Sequence, residues 1–257
     1  MNQVDFVHKV QQLGEKSPRL NRVLDAEFTK RTYGLARLAI RHYHDHVIPS
    51  GRFEWASTES LANEAIRRGA MQKQAELGAL LGALVGKQIK NALEIGTANG
   101  GTFFALAHIA MPDARLTSID LPGGKFGGGY TTRGKQRIES YTLPTQQVGL
   151  FQADSHSPQT YEQVAGWLNG DPLDFLLIDG DHSKTGVEQD WEMYSPLVGQ
   201  GGLVAFHDIA PHEADPKCQV AEVWRDIRTS RDTLEFVEPP TSDGAGRWGG
   251  IGVAMIN

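Results

Sequence analysis

Length, composition and charge already exclude several classes of protein. The chain has 257 residues, of which 40% are hydrophobic and 22% charged, a mixture typical of globular rather than disordered or fibrous proteins. Its 25 basic and 31 acidic residues give a net charge of −6, which argues against a nucleic-acid partner, because such binding depends mainly on neutralising phosphates. The sequence has no apolar run of the roughly 20 residues that span a membrane, and its single cysteine, Cys218, suits a reducing compartment. We therefore expect a cytoplasmic protein with no nucleic-acid or membrane partner.

The first ninety residues have a helical pattern. Apolar residues recur at the spacing of one helix face, as in Leu77, Leu80, Leu81 and Leu84. We predict that residues 1–90 form an N-terminal helical cap, whose helices offer a surface for a homo-oligomer.

From residue 91 onward, short apolar runs alternate with helical patterns. The predicted strands are Asn91–Ile95, Arg115–Asp120, Val148–Ala153, Leu173–Asp179, Gly202–Phe206, Thr233–Val237 and Gly250–Ile256. The predicted helices between them are Thr102–Ala110, Pro158–Leu168, Lys184–Leu197 and Gln219–Thr229. Nearly continuous apolar strands are typical of a sheet covered by helices on both faces.

This alternation predicts the fold of residues 91–257. A strand, a helix and a further strand imply parallel pairing, so we expect a doubly wound, Rossmann-like α/β sheet of seven mostly parallel strands. Only the short segment 238–248 separates the last two strands, which is too little for a helical crossover. We therefore expect these two strands to pair antiparallel at an edge of the sheet.

A glycine-rich turn follows the first predicted strand, in the sequence LEIGTANGGT at residues 93–102. In an open α/β sheet, ligands bind at the carboxyl ends of the strands, and glycines let them approach the main chain. Asp120 ends the second strand, where it can accept hydrogen bonds from ribose hydroxyls. Ala98 stands where the NAD fingerprint has its second glycine, which argues against a nicotinamide cofactor. A buried carboxylate at Glu94 would repel a pyrophosphate but can orient a loop around a cationic ligand without phosphate.

This pattern resembles the S-adenosylmethionine-binding motif of class I methyltransferases. In that family the acidic residue before the turn and the turn itself hold the methionyl end of the cofactor, and the acid ending the second strand holds the ribose. A polar residue after the third strand holds the adenine. The resemblance implies a cofactor site made of Glu94, Gly96, Thr97, Gly101, Asp120, Asp154, Ser155 and Asp179.

Acidic and imidazole side chains follow the fourth and fifth predicted strands. Asp179 and His182 come after the fourth, and His207 and Asp208 after the fifth. Neighbouring parallel strands lie about 4.8 Å apart, so we expect Asp179 and Asp208 to face one cleft. Paired carboxylates suit Mg²⁺, and a nitrogen from His207 would shift the preference towards Mn²⁺ or another transition metal. His182, with an ordinary pKa of about 6.5, can take a proton near neutral pH.

The second pattern resembles metal-dependent small-molecule O-methyltransferases, those acting on catechols and, more closely, those acting on sugars of macrolide antibiotics. The resemblance implies that Asp179, His207 and Asp208 bind a divalent cation and that His182 is the general base, with Asp179 beside the reacting groups. The sequence departs from these families at His207, where they have Asp or Glu. The expected activity is methylation of a hydroxyl on a small molecule, with a sugar or glycosylated natural product as the favoured acceptor.

Three alternatives remain open from the sequence. In a metal-independent methyltransferase, Asp179 would only order the pocket, and His182 would cap the helix starting near Lys184. A non-catalytic cofactor-binding partner in a biosynthetic complex would need the cofactor residues but not His182. An NAD-dependent oxidoreductase uses the same sheet architecture, so the fold alone does not exclude it.

Overall fold

The computed structural model describes residues 55–123, 130–212, 215–239 and 248–257, which contain a seven-stranded sheet. The strands are β1 Asn91–Ile95, β2 Arg115–Asp120, β3 Gln147–Gln152, β4 Leu173–Ile178, β5 Val198–His207, β6 Thr233–Phe236 and β7 Ile251–Met255. Their order in the sheet is β3-β2-β1-β4-β5-β7-β6. The first five strands pair in parallel, and β7 runs antiparallel to both β5 and β6. The predicted Rossmann-like sheet is confirmed, including the antiparallel pairing of the last two strands at one edge.

Seven α-helices accompany this sheet in the described ranges. They are α1 Thr58–Arg67, α2 Gln74–Leu84, α3 Gly101–Ile109, α4 Thr132–Glu139, α5 Pro158–Leu168, α6 Lys184–Tyr194 and α7 Val220–Ser230, and a 3₁₀ turn at Ser195–Leu197 follows α6. None of these helices is long and apolar enough to cross a membrane.

The two faces of the sheet have separate apolar cores, because successive side chains of a strand point to opposite faces. In β4, Phe175 and Leu177 join the core that contains α1, α2 and α3, whereas Leu176 and Ile178 join the core that contains α5, α6 and α7. All four side chains are buried. This double burial is the physical reason why the strands read as continuous apolar runs.

Helices α1 and α2, within the predicted cap, pack on the sheet. They contribute Leu61, Leu77, Leu80 and Leu81 to the same core as α3 and the sheet, and the described residues from 55 onward belong to one compact unit. The sheet domain covers the apolar faces of these two helices, and the division of the chain into a cap of residues 1–90 and a domain of residues 91–257 stays a prediction. Residues 1–54 of the predicted cap lie outside the described residues.

Three elements differ from the prediction, and one of them is α6, which ends at Tyr194 rather than Leu197. Helix α4 was not predicted, because Ile138 is its only buried side chain and so no apolar stripe marks it in the sequence. It begins where the Thr131 hydroxyl accepts a hydrogen bond from the Gly134 amide, at 3.0 Å. Strand β5 begins at Val198 rather than Gly202, because Val198 pairs with Leu173 before the register of the two strands shifts. The other strand ends agree within one residue.

Candidate active site

The glycine turn after β1 lies where the sheet order reverses, between β2 and β4. The Gly96 amide donates to the Ile119 carbonyl and the Asp179 amide to the Ile95 carbonyl, both at 2.9 Å, so the carboxyl ends of three neighbouring strands are joined. Gly96 has φ +89°, and a Cβ there would lie 1.9 Å from the Asp179 carbonyl oxygen. Only glycine fits at this crossing.

At Gly101, predicted as a cofactor residue, the main chain passes close to the main chain at the end of α1. A Cβ at this position would lie 2.0 Å from the Ala70 nitrogen and 2.4 Å from the Ala65 carbonyl oxygen. The missing side chain therefore lets the start of α3 pack against the end of α1. A contact between Gly101 and the cofactor stays a prediction.

Glu94 is a buried carboxylate beside the turn, with 1% of its surface exposed. Burial, reinforced by the charges of Asp179 and Asp120, raises the pKa of Glu94 to about 8, although a hydrogen bond to Thr97 opposes this. Its Oε2 atom has no hydrogen-bond partner among the described residues. A buried acceptor without a donor is costly, so this position suits a ligand that brings a positive charge or an N–H group.

Thr97 fastens the turn to the second strand. Its hydroxyl is hydrogen-bonded to that of Ser118 in β2, which in turn is hydrogen-bonded to the Tyr130 hydroxyl. All three side chains are buried. In the structure Thr97 thus orients the turn and Glu94, which is compatible with its predicted place in the cofactor site.

Asp120 lies next to the start of the β3–α5 loop, which contains the predicted adenine residues. Asp120 is 8% exposed, and its carbonyl accepts from the Ala153 amide at 3.1 Å. The Asp154 carboxylate is 59% exposed and accepts from the His156 amide at 3.0 Å. The structure thus brings the predicted ribose and adenine residues to neighbouring positions at one end of the sheet.

Helix α6 holds this loop in place. The Tyr194 hydroxyl donates to the Ser155 carbonyl at 2.8 Å, and His156 Nε2 lies 3.3 Å from Oδ1 of Asp190, which is fully buried. The hydrogen bond to Asp190 raises the pKa of His156 against the effect of partial burial. The backbone at Ser155 is therefore held by a hydrogen bond from α6.

Asp179 is the centre of the charged cluster at the ends of β4 and β5. Its Oδ1 lies 3.1 Å from His207 Nδ1 and 3.3 Å from His182 Nε2, and its Oδ2 accepts from Gln72 Nε2 at 2.6 Å. Burial favours the neutral acid, but the two imidazoles outweigh it and lower the pKa of Asp179 to about 2. The carboxylate is ionised and has a partner on each oxygen.

Asp208 adds the second carboxylate of the cluster. Its Oδ2 lies 3.4 Å from His182 Nδ1 and 3.6 Å from His207 Nδ1, and its Oδ1 accepts from the Gly249 amide at 3.0 Å. Its φ of +61° lies in the left-handed region, a conformation that costs free energy and persists where surrounding contacts hold it. The backbone turn after β5 thus directs this carboxylate towards the two imidazoles.

His182 lies between the two carboxylates and is 28% exposed. Burial lowers the pKa of its imidazole, but the contacts with Asp179, Cys218 and Asp208 raise it to about 11. His207 is buried, and Asp179 raises its pKa against the opposing effect of burial. Both imidazoles therefore lie against carboxylate oxygens that raise their pKa values.

The donor set fits a divalent cation. One ligand atom from each of Asp179, His207 and Asp208 lies within 4.8 Å of the other two, and two of the three residues are buried. Two carboxylates and one imidazole are ligands that Mn²⁺ and Mg²⁺ accept.

Two residues of the cluster were missed by the sequence prediction. Gln72, between α1 and α2, donates to Asp179 and accepts from the Thr102 hydroxyl at 3.0 Å. Cys218, before α7, lies with His182 and Asp208 in a group whose ligand atoms are within 4.8 Å of one another. Neither residue belongs to a motif, so no local signal in the sequence marks them.

The central part of the chain is similar to a known protein family. Residues 93–209 match a family model described as a methyltransferase domain. The match begins in β1 and ends just after Asp208, so it contains the glycine turn and the charged cluster.

Solved structures share the fold. The O-methyltransferase TomG from Streptomyces achromogenes, involved in tomaymycin synthesis and bound to S-adenosylmethionine, is 17% identical over 84% of this chain and 95% of its own, with a TM-score of 0.51. Cofactor-bound Rv0187 from MTB is 16% identical over 85% and 95%, with a TM-score of 0.51. MycE from the mycinamycin pathway, bound to Mg and S-adenosylhomocysteine, is 15% identical over 93% and 63%, with a TM-score of 0.52.

Proposed function

We propose that the protein is an S-adenosylmethionine-dependent O-methyltransferase acting on a hydroxyl of a small molecule, because residues 93–209 match a methyltransferase-domain model and the chain shares the fold of O-methyltransferases. The observation that carries the proposal is the cluster of Asp179, His182, His207 and Asp208 beside the glycine turn. Its neighbours include the buried Glu94, whose unpartnered oxygen suits a cationic ligand.

The chain's own residues have distinct roles in this proposal. Glu94 and the turn at Gly96 bind the methionyl end of the cofactor, Asp120 accepts from the ribose hydroxyls, and the loop at Asp154 and Ser155 faces the adenine. In the reaction the substrate hydroxyl oxygen bonds to the methyl carbon as the bond from carbon to sulfur breaks. His182 takes the hydroxyl proton, and the products are a methyl ether and S-adenosylhomocysteine.

Asp179, His207 and Asp208 would hold a divalent cation, Mg²⁺ or Mn²⁺. When bound, the cation supplies positive charge that makes a nearby hydroxyl and imidazole easier to deprotonate. This matters for His182, because an imidazole with a pKa of about 11 is protonated at neutral pH and cannot accept a proton. A sugar or glycosylated natural product is the proposed acceptor, with support from the similarity to MycE of a natural-product pathway.

A calorimetric titration with S-adenosylhomocysteine, with and without Mg²⁺, tests the proposal first. We expect binding in both conditions, and a binding constant about 10- to 100-fold weaker for Asp120→Ala, because a charge-assisted hydrogen bond contributes about 1.5–3 kcal/mol. A screen of hydroxylated acceptors for methyl transfer follows. Absence of binding in both conditions contradicts the cofactor assignment, and an unchanged constant for Asp120→Ala places the ribose elsewhere.

A metal-independent methyltransferase is the second candidate, and one observation favours it. Each carboxylate of the cluster already lies within ion-pair distance of an imidazole, so each has a partner within the protein and needs no cation for that purpose. Exhaustive chelation with EDTA separates the two candidates. Turnover that survives chelation supports the second candidate, and turnover that is lost and restored by added Mg²⁺ or Mn²⁺ supports the first.

A further inference from the structure

The thiol of Cys218 lies beside the charged cluster and is not among the proposed ligands of Mg²⁺ or Mn²⁺. His182, Asp208 and Cys218 each offer one ligand atom, and these three atoms lie within 4.8 Å of one another. Asp208 is buried, whereas His182 and Cys218 are partly exposed, so an ion can reach the group from solvent. The imidazole Nδ1 of His182 and Oδ2 of Asp208 are only 3.4 Å apart.

The chemistry of this second set differs from that of the first. Zn²⁺ binds thiolate, imidazole and carboxylate in tetrahedral sites, with bonds of about 2.0–2.3 Å, whereas Mg²⁺ prefers oxygen ligands and does not select sulfur. A thiolate and a carboxylate carry two negative charges, which match a divalent cation. The fourth tetrahedral position would remain for water.

We propose that His182, Asp208 and Cys218 form a zinc site whose occupation inhibits the enzyme. The inhibitory part rests on the proposed function, because it requires His182 to be the base and Asp208 to be part of the Mg²⁺ or Mn²⁺ set. Zinc held by this trio occupies a His182 nitrogen and an Asp208 oxygen. The bound thiol and imidazole release their protons to solvent, and the imidazole can no longer accept one from the substrate.

Binding is tested on the full-length protein with Co²⁺ as a spectroscopic substitute for zinc, followed by competition with Zn²⁺. Since Cys218 is the only cysteine in the chain, a thiolate-to-cobalt charge-transfer band at one equivalent reports this residue alone. We expect the band in the wild type and its absence in Cys218→Ser. Zinc affinity should fall more than about tenfold in that variant, since even outer partners of metal ligands contribute about 10- to 100-fold.

A matched control removes an imidazole elsewhere. His108 lies on α3, outside the trio, so His108→Gln should leave both the cobalt band and the zinc affinity unchanged. Absence of the thiolate band in the wild type overturns the site. Equal zinc affinity in the wild type and Cys218→Ser also overturns it.

Inhibition is measured separately, at saturating Mg²⁺ and with each protein compared with its own zinc-free rate. The zinc concentration for half inhibition should be more than about tenfold higher for Cys218→Ser than for the wild type, in parallel with its weaker binding. Equal inhibition of both proteins contradicts the inhibitory role. If the protein shows no methyl transfer at all, the proposed function fails, and the cobalt experiment still decides the zinc site.

Discussion

The carboxyl groups of Glu94 and Asp179 lie at the same edge of the sheet and differ in their pKa values. Glu94, at the end of β1, has an oxygen without a partner among the described residues, and burial raises its pKa to about 8. Asp179, after β4, has 11% of its side chain exposed, and two imidazoles lower its pKa to about 2. Desolvation acts on both groups in the same direction, so the difference comes from the neighbours.

This difference separates two kinds of site. The charge of Asp179 is compensated by two imidazoles of the protein. Glu94 has no such partner and holds its proton at neutral pH, so its ionised form is compensated only by a ligand that brings a positive charge or an N–H group. A cofactor that carries a sulfonium and an amino group suits the position beside Glu94 at the end of β1. Acid–base chemistry suits the side chains at the ends of β4 and β5.

The largest effect is expected on turnover, from a substitution in the cluster around Asp179. His182→Ala removes the proposed base, and we expect turnover to fall by about 10²–10⁴, the usual scale of general acid–base catalysis. Affinity for S-adenosylhomocysteine should remain close to that of the wild type, because Glu94 and Asp120 are untouched. Steady-state kinetics and calorimetry on the same preparation check both parts, with His108→Gln as a histidine control. Wild-type turnover in His182→Ala would remove the base assignment.

A smaller effect is expected from Glu94→Gln, which removes the uncompensated charge. Affinity for S-adenosylmethionine should weaken by about 10- to 100-fold, since a charge-assisted hydrogen bond contributes about 1.5–3 kcal/mol. Calorimetry above pH 8, where the wild-type side chain is ionised, gives the comparison. Equal affinity of the two proteins would mean that the cationic end of the cofactor binds elsewhere.

The same substitution should change the pH dependence of stability. The folded chain holds the Glu94 proton more tightly than the unfolded chain, because the pKa is about 8 rather than 4.5. The contribution of this group to the free energy of unfolding therefore decreases as pH rises from 4.5 to 8. Glutamine stays neutral, so ligand-free Glu94→Gln should have a higher Tm than the wild type at pH 9, by about 2–4 °C per kcal/mol. The difference should shrink at pH 5, and a lower Tm for the variant at pH 9 would contradict the assignment.

The smallest effect is expected from Gln72, which connects Asp179 to Thr102 at the start of α3. Gln72→Met keeps the length of the side chain but removes the donor to Asp179 and the acceptor for Thr102. We expect kcat to fall about tenfold, because a hydrogen bond to a charged group contributes at least about 1.5 kcal/mol. Gln146→Met is the matched control, since Gln146 is similarly buried and donates to the Ala107 and Met111 carbonyls. A parallel loss of kcat in both variants would indicate destabilisation rather than positioning of Asp179.

The strands and the glycine turn were predictable because their signals are local. Apolar runs such as that of β4 follow from burial on both faces, and Gly96 is required where two loops cross. Helix α4 was not predictable in this way, since one buried residue, Ile138, leaves no periodic pattern. Its position is set by the Thr131 cap and by packing against the turn.

The charged cluster was predictable only in part. Asp179 and Asp208 follow neighbouring parallel strands, so their proximity follows from sheet topology. The charge balance with His182 and His207 depends on the left-handed turn at Asp208 and on the exact orientation of each imidazole. No pattern in consecutive residues encodes these orientations.

By itself, the sequence determined the Rossmann-like sheet, the turn after β1 and the acidic residues that end its strands, because each depends on residues close together in the chain. The tertiary structure alone decided which groups share the charge of those acids. Gln72 and Cys218 come from segments 146 positions apart, and only the packing of the loop after α1 and the loop before α7 against β4 and β5 brings them to the same cluster.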